Sequence, residues 1–257
     1  MRFSWDAKQY EKFLTERTRP AVDLASRIKG SPKKVLDLGC GPGNSTAVLV
    51  ETFPNAQISG ADFSEEMLVQ ARANLPQLEF IPFDASHDFK NHGKKYDVIF
   101  SNACIQWVPN HAKLFKDMFA CLNNDGQLAL QVPLTDKVLL ETLIADLASS
   151  EKWLDKMSSA SFYHTQSLGD YIEILLEQTS DFELWETCYY HRLPSLQSIT
   201  DWYRGTGLRP HLGQLSAEEQ EIFCQELLEK MKIAYPLQTD GSVIFPFPRL
   251  FILARKE

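Results

Sequence analysis

The sequence predicts an α/β fold: a doubly wound, mostly parallel sheet with a helical cap inserted before its last strand. Short apolar runs alternate with helical segments across residues 33–133, which is the pattern of strands joined by crossover helices. A turn with three glycines in five residues follows the first run, at 39–43. Two long strands, expected at 182–193 and 246–256, are separated by residues 195–241, a largely helical segment that is too long for a hairpin loop.

Two helical stretches are expected within residues 5–29, ahead of the first strand. Pro20 suits the first turn of the second helix, because that position needs no N–H donor. The charged run between the two stretches, residues 16–19, has two interpretations. It is either a solvated turn or part of a lid over a ligand, with Tyr10 and Arg19 facing inward.

The remaining core elements are defined by apolar runs and by the signals that start and stop them. Ser64 precedes a helix expected over 65–74 and is a suitable N-cap for it. A helix is expected over 111–122, and the composition of residues 123–126, Asn-Asn-Asp-Gly, predicts a turn into the fifth strand. The second to fifth strands are expected at 57–61, 78–83, 96–101 and 127–132.

Composition argues against several classes of protein. The net charge is -8 and no run is rich in lysine or arginine, so tight nucleic-acid binding is not expected. Five scattered cysteines without a C-x-x-C pair suit a reducing compartment and argue against a disulfide framework or a structural zinc. No signal-peptide pattern or membrane-spanning run is found. We expect a cytoplasmic protein that binds a small molecule, without a metal, a membrane or an obligate protein partner.

The glycine-rich turn at 39–43 discriminates between two classes of nucleotide-like ligand. A strand, a tight loop and a helix N-terminus together present backbone N–H groups to such a ligand. A dinucleotide loop requires G-x-G-x-x-G, but Asn44 stands at the third glycine position. Asp37, two residues before the first glycine, would repel a pyrophosphate and attract the sulfonium and ammonium groups of S-adenosylmethionine (SAM). The loop therefore favours SAM over NAD.

Residues at the ends of the next strands fit the rest of SAM. Asp62 ends the second strand at the spacing from which an acid can accept both ribose hydroxyls. Phe63 and Met67 either line the adenine site or pack in the core. Asp84 and Ala85 come directly after the third strand, where an acid can accept from the adenine amino group.

The carboxyl end of the fourth strand is the expected place of the chemistry, since open α/β sheets bind ligands there. Asn102 directly follows that strand, and we assign it to the cofactor. Trp107 follows in the next turn, and we assign it to the substrate pocket.

Four arginines in the C-terminal part lie near aromatic residues. Arg249 is flanked by apolar residues and needs a partner if it is buried, either an internal acid or a ligand carboxylate. Tyr190 and His191 end the sixth strand, where alternation allows only one of them to point to a given face. The four arginines are Arg192, Arg204, Arg209 and Arg249.

The glycine-rich segment 37–43 resembles the corresponding motif of class I SAM-dependent methyltransferases, which implies a Rossmann-like fold. A narrower resemblance, over nearly the whole chain, is to trans-aconitate 2-methyltransferases. It implies SAM-dependent esterification of a small polycarboxylate, trans-aconitate, in the cytoplasm. The chain departs from the family's Pro-Asp-Asn pattern after strand five, at 133–137, so the particular acid stays open. The resemblance is carried by Trp5, Tyr10, Glu16-Arg17-Thr18-Arg19-Pro20, Asp37 to Thr46, Gln106-Trp107, Tyr189-Tyr190-His191, Thr206-Gly207-Leu208-Arg209-Pro210 and Phe247-Pro248-Arg249-Leu250-Phe251.

A mechanism without a catalytic acid or base follows from this chemistry. A carboxylate is ionised at pH 7 and attacks the sulfonium methyl directly, so we assign no catalytic residue. Arg209 and Arg249 are expected to bind the substrate carboxylates, with Tyr190, His191 and Trp107 shaping the pocket. The expected cofactor residues are Tyr10, Arg19, Asp37, Gly39, Cys40, Gly41, Asn44, Asp62, Phe63, Met67, Asp84, Ala85 and Asn102.

The predicted organisation is a single methyltransferase domain over 1–257. Within it we expect an N-terminal lid over 1–30, a SAM-binding core over 33–133 and cap elements over 134–165 and 195–241. Three alternatives remain: a carboxyl methyltransferase for a diacid linked to an acyl carrier protein, another small-molecule SAM methyltransferase, or a SAM-binding regulator without turnover.

Overall fold

The computed structural model of the protein describes residues 14–157 and 162–257. These residues form a seven-stranded sheet in the order β3-β2-β1-β4-β5-β7-β6, with helices packed against it. The strands are β1 (Lys34–Leu38), β2 (Gln57–Asp62), β3 (Glu79–Pro82), β4 (Tyr96–Asn102), β5 (Leu122–Pro133), β6 (Phe182–Leu193) and β7 (Val243–Arg255). The predicted α/β class, the mostly parallel sheet and the helices inserted before the last strand are confirmed.

The helices follow the strands in the expected alternation. The N-cap prediction for Ser64 is confirmed, because its side chain accepts a hydrogen bond from the backbone N–H of Met67. The α-helices are α1 (Leu14–Ala25), α2 (Asn44–Thr52), α3 (Glu65–Asn74), α4 (His111–Ala120), α5 (Leu139–Ala148), α6 (Leu168–Leu176), α7 (Leu196–Arg204), α8 (Arg209–Leu212) and α9 (Ala217–Ala234). None of these helices is both long enough and apolar enough to cross a membrane.

Parallel pairing places the carboxyl ends of five strands side by side. β1 pairs in parallel with β2 and β4, β2 with β3, and β4 with β5. The central strands are buried on both faces, as parallel strands covered by helices must be. The residues that follow the strands therefore meet at one edge of the sheet, and the predicted cofactor residues of the core are among them.

The prediction of a helix over 21–29 with Pro20 in its first turn is wrong, because Pro20 lies inside α1, which ends at Ala25. Residues 16–19 are helical, so they form no separate turn. The missing N–H of proline removes one helical hydrogen bond, but the helix is stabilised by packing against α2 and β5 with Ala21 and Leu24 fully buried. This packing buries Arg17 and leaves Arg19 exposed. The first expected helical stretch and Tyr10 lie outside the described residues.

The turn predicted at residues 123–126 is also wrong, since these residues lie within β5. Tyr96 of β4 pairs with Leu122, and the register then shifts before Val98, as it does at a bulge. Asp125 has a φ of 63° and donates its N–H to the carbonyl of residue 256. Bulge positions favour the same Asn, Asp and Gly residues as tight turns, which is why the composition was misleading.

The described chain divides into two compact units. The sheet unit comprises residues 14–133, 163–186 and 250–257, and the cap unit comprises residues 134–157, 162 and 187–249. The cap unit has an apolar core of its own, in which Trp153 and Phe223 meet edge to face with ring centroids 5.3 Å apart. The indole N–H of Trp153 donates to the Glu226 carboxylate at 2.7 Å, so the buried polar atom is satisfied.

Candidate active site

The glycine-rich loop joins β1 to α2 in the sheet unit, and its first N–H groups are bound within the protein. The N–H groups of Gly39 and Cys40 both donate to the carbonyl of Ala61, at 2.7 and 3.1 Å. The N–H of Gly41 donates to Asp62 Oδ2 at 2.8 Å. A pyrophosphate would need these donors, whereas a cationic ligand does not compete for them. The loop geometry therefore agrees with the preference for SAM over a dinucleotide.

Gly39 and Gly41 are required for different physical reasons. Gly39 has a φ of 73°, and a Cβ there would lie 2.2 Å from Cβ and Sγ of Cys104 in the turn after β4. Gly41 has a φ of 54°, and a Cβ there would meet no protein atom within 4 Å. The loop thus packs tightly on the sheet at Gly39 and borders open space at Gly41. The Cys40 side chain points into an apolar cluster with Leu68 and Phe80, so only its backbone is available to a ligand.

Asp37 is fully buried and connects β1 to the first turn of α2. Its Oδ2 accepts hydrogen bonds from the hydroxyls of Ser45 and Thr46, both at 2.7 Å. Burial raises the pKa of Asp37 to about 6, although the two hydroxyl donors oppose the shift. Among the described residues, its Oδ1 has no hydrogen-bonding partner. Ser45 and Thr46 were not predicted as site residues, although hydroxyl residues directly after a glycine-rich loop were a visible signal. Asn44 begins α2 and is half-buried.

Asp62 is held at the end of β2 by two backbone donors. Its oxygens accept from the N–H groups of Gly41 and Ser64, both at 2.8 Å. Burial raises its pKa, and the backbone hydrogen bonds oppose this. Each carboxylate oxygen keeps a second lone pair with which it can accept from a ligand hydroxyl. Phe63, next to Asp62, is 65% exposed, whereas the Met67 side chain is buried.

The acid after β3 forms a local turn. Asp84 is half-buried, and its Oδ1 accepts from the backbone N–H of Ser86 at 2.9 Å and from the Ser86 hydroxyl. Ala85 is buried. The turn fixes the direction of the Asp84 carboxylate at the carboxyl edge of the sheet.

Two amide side chains lie side by side where β4 and β5 end. Asn102 pairs in register with Gln131, so the two side chains share one face of the sheet. Within the described part of the chain, neither Asn102 Oδ1 nor either amide atom of Gln131 has a partner, although these atoms are buried. A buried polar group without a hydrogen bond costs about 1–3 kcal/mol. The sequence analysis missed Gln131, whose signal was a lone polar residue in the apolar run 128–133.

The turn after β4 carries Trp107 in a short 3-10 helix, Ile105–Trp107. Trp107 is half-buried, and its ring lies against Tyr163 with centroids 4.8 Å apart. The turn begins at Ala103, which has a φ of 55°, and ends at Asn110, which has a φ of 56°. Non-glycine residues adopt such values at a cost, and they cluster at functional sites.

In the cap unit, the two residues predicted to end the sixth strand, Tyr190 and His191, point to opposite faces of the strand. Tyr190 is 69% exposed, whereas His191 is buried among aromatic rings, as strand alternation requires. The His191 ring lies 4.9 Å from Trp202 and 6.5 Å from Phe247, measured between centroids. Arg249 is also buried, with its guanidinium carbon 4.0 Å from the centre of the Phe247 ring. Phe247 therefore brings His191 and Arg249 together, and Tyr190 faces away from them.

The other arginines of the cap unit differ in their surroundings. Arg204 donates to Glu221 at 2.8 Å, and Arg192 pairs with Asp240 on the surface. Arg209 is half-buried at the start of α8. Of the four arginines, Arg249 is the one whose side chain is buried.

The chain matches known methyltransferases over nearly all of its length. A family model described as a methyltransferase domain matches residues 10–210. Proteins named trans-aconitate 2-methyltransferase are similar over 98% of the chain: that of Rhodopseudomonas palustris BisA53 is 40% identical, with 99% of its length covered. Those of Acidovorax ebreus TPSY and Escherichia coli O139:H28 are 39% and 38% identical, each with 98% covered.

The chain belongs to the trans-aconitate 2-methyltransferase family. It is a SAM-dependent methyltransferase.

Solved structures with lower sequence identity share the fold. The YcgJ protein of Bacillus subtilis is 15% identical, with a TM-score of 0.61 over 95% of this chain and 99% of its own. A putative methyltransferase from Bacillus halodurans C-125 is 17% identical, with a TM-score of 0.59 over 94% and 99%. Phosphoethanolamine N-methyltransferase 2 of Haemonchus contortus, solved with S-adenosylhomocysteine (SAH), is 17% identical, with a TM-score of 0.58 over 93% of this chain and 53% of its own.

The sheet unit offers the chemistry that the family's methyl donor needs. SAM carries a sulfonium, an ammonium and two ribose hydroxyls, all of which are satisfied by oxygen acceptors. Asp37 and Asn102 each keep a buried oxygen that no described residue binds, and Asp62 keeps free lone pairs. Gly41 leaves open space beside the loop. The residues therefore fit SAM, with Asp62 suited to the ribose and the region of Asp37 and Asn102 suited to the methionine end.

SAM affinity is expected to fall as the pH drops below about 6, because Asp37 then takes up a proton and no longer attracts the cationic ligand. Binding to the ionised form requires release of that proton, which lowers the affinity by up to about tenfold for each pH unit below the pKa. Isothermal titration calorimetry with SAM between pH 5 and 8 measures this dependence.

Thr46→Val tests whether Asp37 is the group that causes this pH dependence. Valine keeps the shape of threonine and removes one hydrogen-bond donor to Asp37 Oδ2. The loss of that donor raises the pKa of Asp37 further, so the midpoint of the affinity curve should move to higher pH. A midpoint that stays unchanged in Thr46→Val would assign the pH dependence to another group.

Proposed function

We propose that this enzyme transfers the methyl group of SAM to a carboxylate of a small polycarboxylic acid, with trans-aconitate as the first candidate. The observation that carries the proposal is the whole-length similarity to relatives with that name, at 40% identity over 98% of the chain. The buried Arg249 supports it, since a guanidinium offers a planar fork that matches a carboxylate.

The proposed reaction needs no proton transfer by the protein. SAM supplies an electrophilic methyl group on its sulfonium. An ionised carboxylate oxygen attacks that carbon, and the electron pair of the breaking carbon–sulfur bond stays on sulfur, which gives the methyl ester and SAH. The protein then has to hold the acid in line with that bond and to exclude water that would solvate the nucleophile.

The residue roles in this proposal follow the placement of each side chain. Arg249 and Arg209 bind carboxylates of the acid, and His191 hydrogen-bonds to it from the buried face of β6. Trp107 contacts the acid from the turn after β4. Tyr190 is exposed and faces away from His191, so its assignment to the pocket rests on the resemblance alone.

Roles toward the cofactor are proposed in the same way. Asp62 binds the ribose hydroxyls, Asp84 the adenine amino group, and Phe63 covers the adenine from its exposed position. Asp37, Asn102 and the glycine loop hold the methionine end. Arg19 is exposed and Met67 is buried, so their assignments rest on the resemblance alone.

A labelled-methyl transfer screen tests the proposed function. Purified enzyme and SAM labelled in the methyl group are incubated with a panel of di- and tricarboxylates that includes trans-aconitate, and base-labile methyl esters are counted. We expect transfer to at least one polycarboxylate and the release of one SAH for each ester formed. Transfer only to a diacid on an acyl carrier protein, or SAM binding without turnover, would contradict the proposal.

The pH profile of kcat is expected to be flat between pH 6 and 9, once the substrate carboxylates are ionised, because no protein group has to give or take a proton. His191 is the one proposed pocket residue that could act as a base near neutral pH. A limb near pH 6.5 that disappears together with activity in His191→Asn would refute direct attack by the carboxylate. If the profile is flat and kcat falls only modestly in His191→Asn, His191 acts as a hydrogen-bonding residue of the pocket and not as a base.

We also propose that the enzyme works in the cytoplasm. All five of its cysteines lie in the described residues and are free, as is usual in a reducing compartment.

A further inference from the structure

The turn between β4 and α4, residues 103–110, is connected to α6 by hydrogen bonds through a buried side-chain pair, His111 and Tyr171. The ring of His111, at the start of α4, donates from Nε2 to the carbonyl of Ile105 at 2.9 Å. That bond fixes the neutral tautomer, so Nδ1 is an acceptor, and the Tyr171 hydroxyl donates to it at 3.0 Å. Both side chains are almost fully buried, with relative exposures of 1% and 0%. The pair therefore links the turn to α6 without access to water.

The segment before α6 is attached to the same turn at two further points. The N–H of His164 donates to the carbonyl of Gln106 at 2.8 Å. The Tyr163 ring lies against Trp107 at 4.8 Å between centroids, with the two ring planes inclined by 43°. Both rings are half-buried, so part of each remains accessible to a ligand. Tyr163 and Trp107 thus form one aromatic surface, the aromatic wall, held by a backbone bond and by the buried pair.

The wall lies where a substrate is expected. Trp107 follows the carboxyl end of β4, and open α/β sheets bind their ligands outside that edge. Tyr163 belongs to the segment 134–165, which was predicted from the sequence to be a cap element, but it lies in the sheet unit. Tyr163 is therefore in contact with a proposed substrate residue, and this contact is internal to the sheet unit.

We propose that the aromatic wall selects acids with a flat, unsaturated carbon skeleton, with Tyr163 as a specificity-determining residue and His111 and Tyr171 as positioning residues. The inference rests on the proposed function and deepens it. A conjugated acid presents a flat face that packs on an aromatic ring, whereas a saturated acid has tetrahedral carbons that keep most of its skeleton off the ring. The buried pair keeps Trp107 in place, because His111 holds the carbonyl of Ile105, two residues before Trp107, and Tyr171 in turn holds the His111 ring.

The preference ratio, kcat/KM for trans-aconitate divided by kcat/KM for its saturated analogue tricarballylate, tests the role of Tyr163. We expect Tyr163→Leu, which removes the ring and keeps an apolar side chain, to lower this ratio about three- to tenfold, the value of one aromatic contact. Tyr163→Phe, which keeps the ring, should retain the wild-type ratio. The Kd for SAM, measured by calorimetry, should stay the same in both variants.

The possible outcomes separate the inference from the proposed function. A wild-type enzyme that methylates no acid of the polycarboxylate panel refutes the proposed function, and the inference with it. A wild-type enzyme that methylates saturated acids of the panel but not trans-aconitate refutes the inference alone. A wild type that methylates trans-aconitate but shows the same preference ratio in Tyr163→Leu refutes the inference alone. A change in the Kd for SAM in Tyr163→Leu would place the wall at the cofactor and would also overturn the inference.

Tyr171→Phe tests the positioning role. It removes the donor to His111 Nδ1, so we expect a rise in KM for trans-aconitate and a fall in kcat, together at least tenfold in kcat/KM, with an unchanged Kd for SAM. Tyr235→Phe, at a buried tyrosine of the cap unit, is the matched control and should keep wild-type kinetics. A lower Tm in Tyr171→Phe with unaltered kinetic constants for the folded enzyme would show that the pair is only structural.

Discussion

Arg249→Lys is expected to lower kcat/KM for the acid substrate by about 30-fold to several thousandfold, although the charge is kept. The range corresponds to about 2–5 kcal/mol, the loss when one partner of a buried charge pair is changed. An ammonium cannot offer the two parallel donors of a guanidinium, and it lacks the planar, delocalised group whose central carbon lies 4.0 Å from the centre of the Phe247 ring. Steady-state kinetics with saturating SAM measures the effect, which we expect in both KM and kcat.

Arg192→Lys is the matched control for Arg249→Lys. Arg192 belongs to the same unit but is exposed, and its partner is Asp240. Exposed ion pairs contribute little to the free energy of unfolding, so Arg192→Lys should keep the wild-type kcat/KM and Tm. If instead Arg249→Lys melts at a much lower temperature while the folded fraction keeps full kcat/KM, Arg249 has a structural role and the proposed binding of carboxylates there is wrong.

Gly39→Ala is expected to abolish measurable SAM binding or to weaken it by at least about 30-fold. A left-handed backbone costs an alanine about 1–2 kcal/mol, and overpacking costs about 1–3 kcal/mol more. The overpacking arises because the added Cβ would lie 2.2 Å from the Cβ and Sγ of Cys104, so the loop has to move away from β4. Calorimetry with SAM and SAH measures the loss, and circular dichroism shows whether the fold persists.

Two further variants separate the components of the Gly39→Ala effect. Gly30 lies before β1 with a φ of 81°, and a Cβ added there would meet no atom within 4 Å. Gly30→Ala therefore tests the backbone strain without a clash. It should lower stability without changing the Kd for SAM. Gly39→Ala combined with Cys104→Gly removes the clashing side chain and should recover part of the affinity. Failure of the double variant to recover any affinity would mean that the backbone strain alone is responsible.

Much of the sheet could be derived from the sequence, because its signals are local. The strands of the core are continuous apolar runs, and burial on both faces requires that pattern wherever the chain is read. Ser64 was identified as an N-cap because a hydroxyl next to a helix start satisfies an orphan N–H within three residues. The same local reasoning placed Tyr190 and His191 on opposite faces, and the acid and glycines of residues 37–43 indicated the methyl donor.

Tertiary packing decided the features that depend on residues far apart in the chain. Pro20 lies inside a helix because α1 buries one face against α2 and β5, which outweighs the local signal of a proline. The bond between His111 and Tyr171 joins residues 60 positions apart, and no periodicity predicts such a pair. Gln131 stands in an apolar run, and only the register of β4 and β5 placed it beside Asn102.

The sequence by itself therefore determined the fold class and the kind of cofactor, since both follow from short-range patterns of burial, turn and charge. The tertiary structure decided which candidates meet. It brought His191 and Arg249 to the same ring of Phe247, turned Tyr190 away from them, and set Tyr163 against Trp107. These contacts depend on how separate segments pack, and packing is a property of the whole chain that no short stretch of sequence contains.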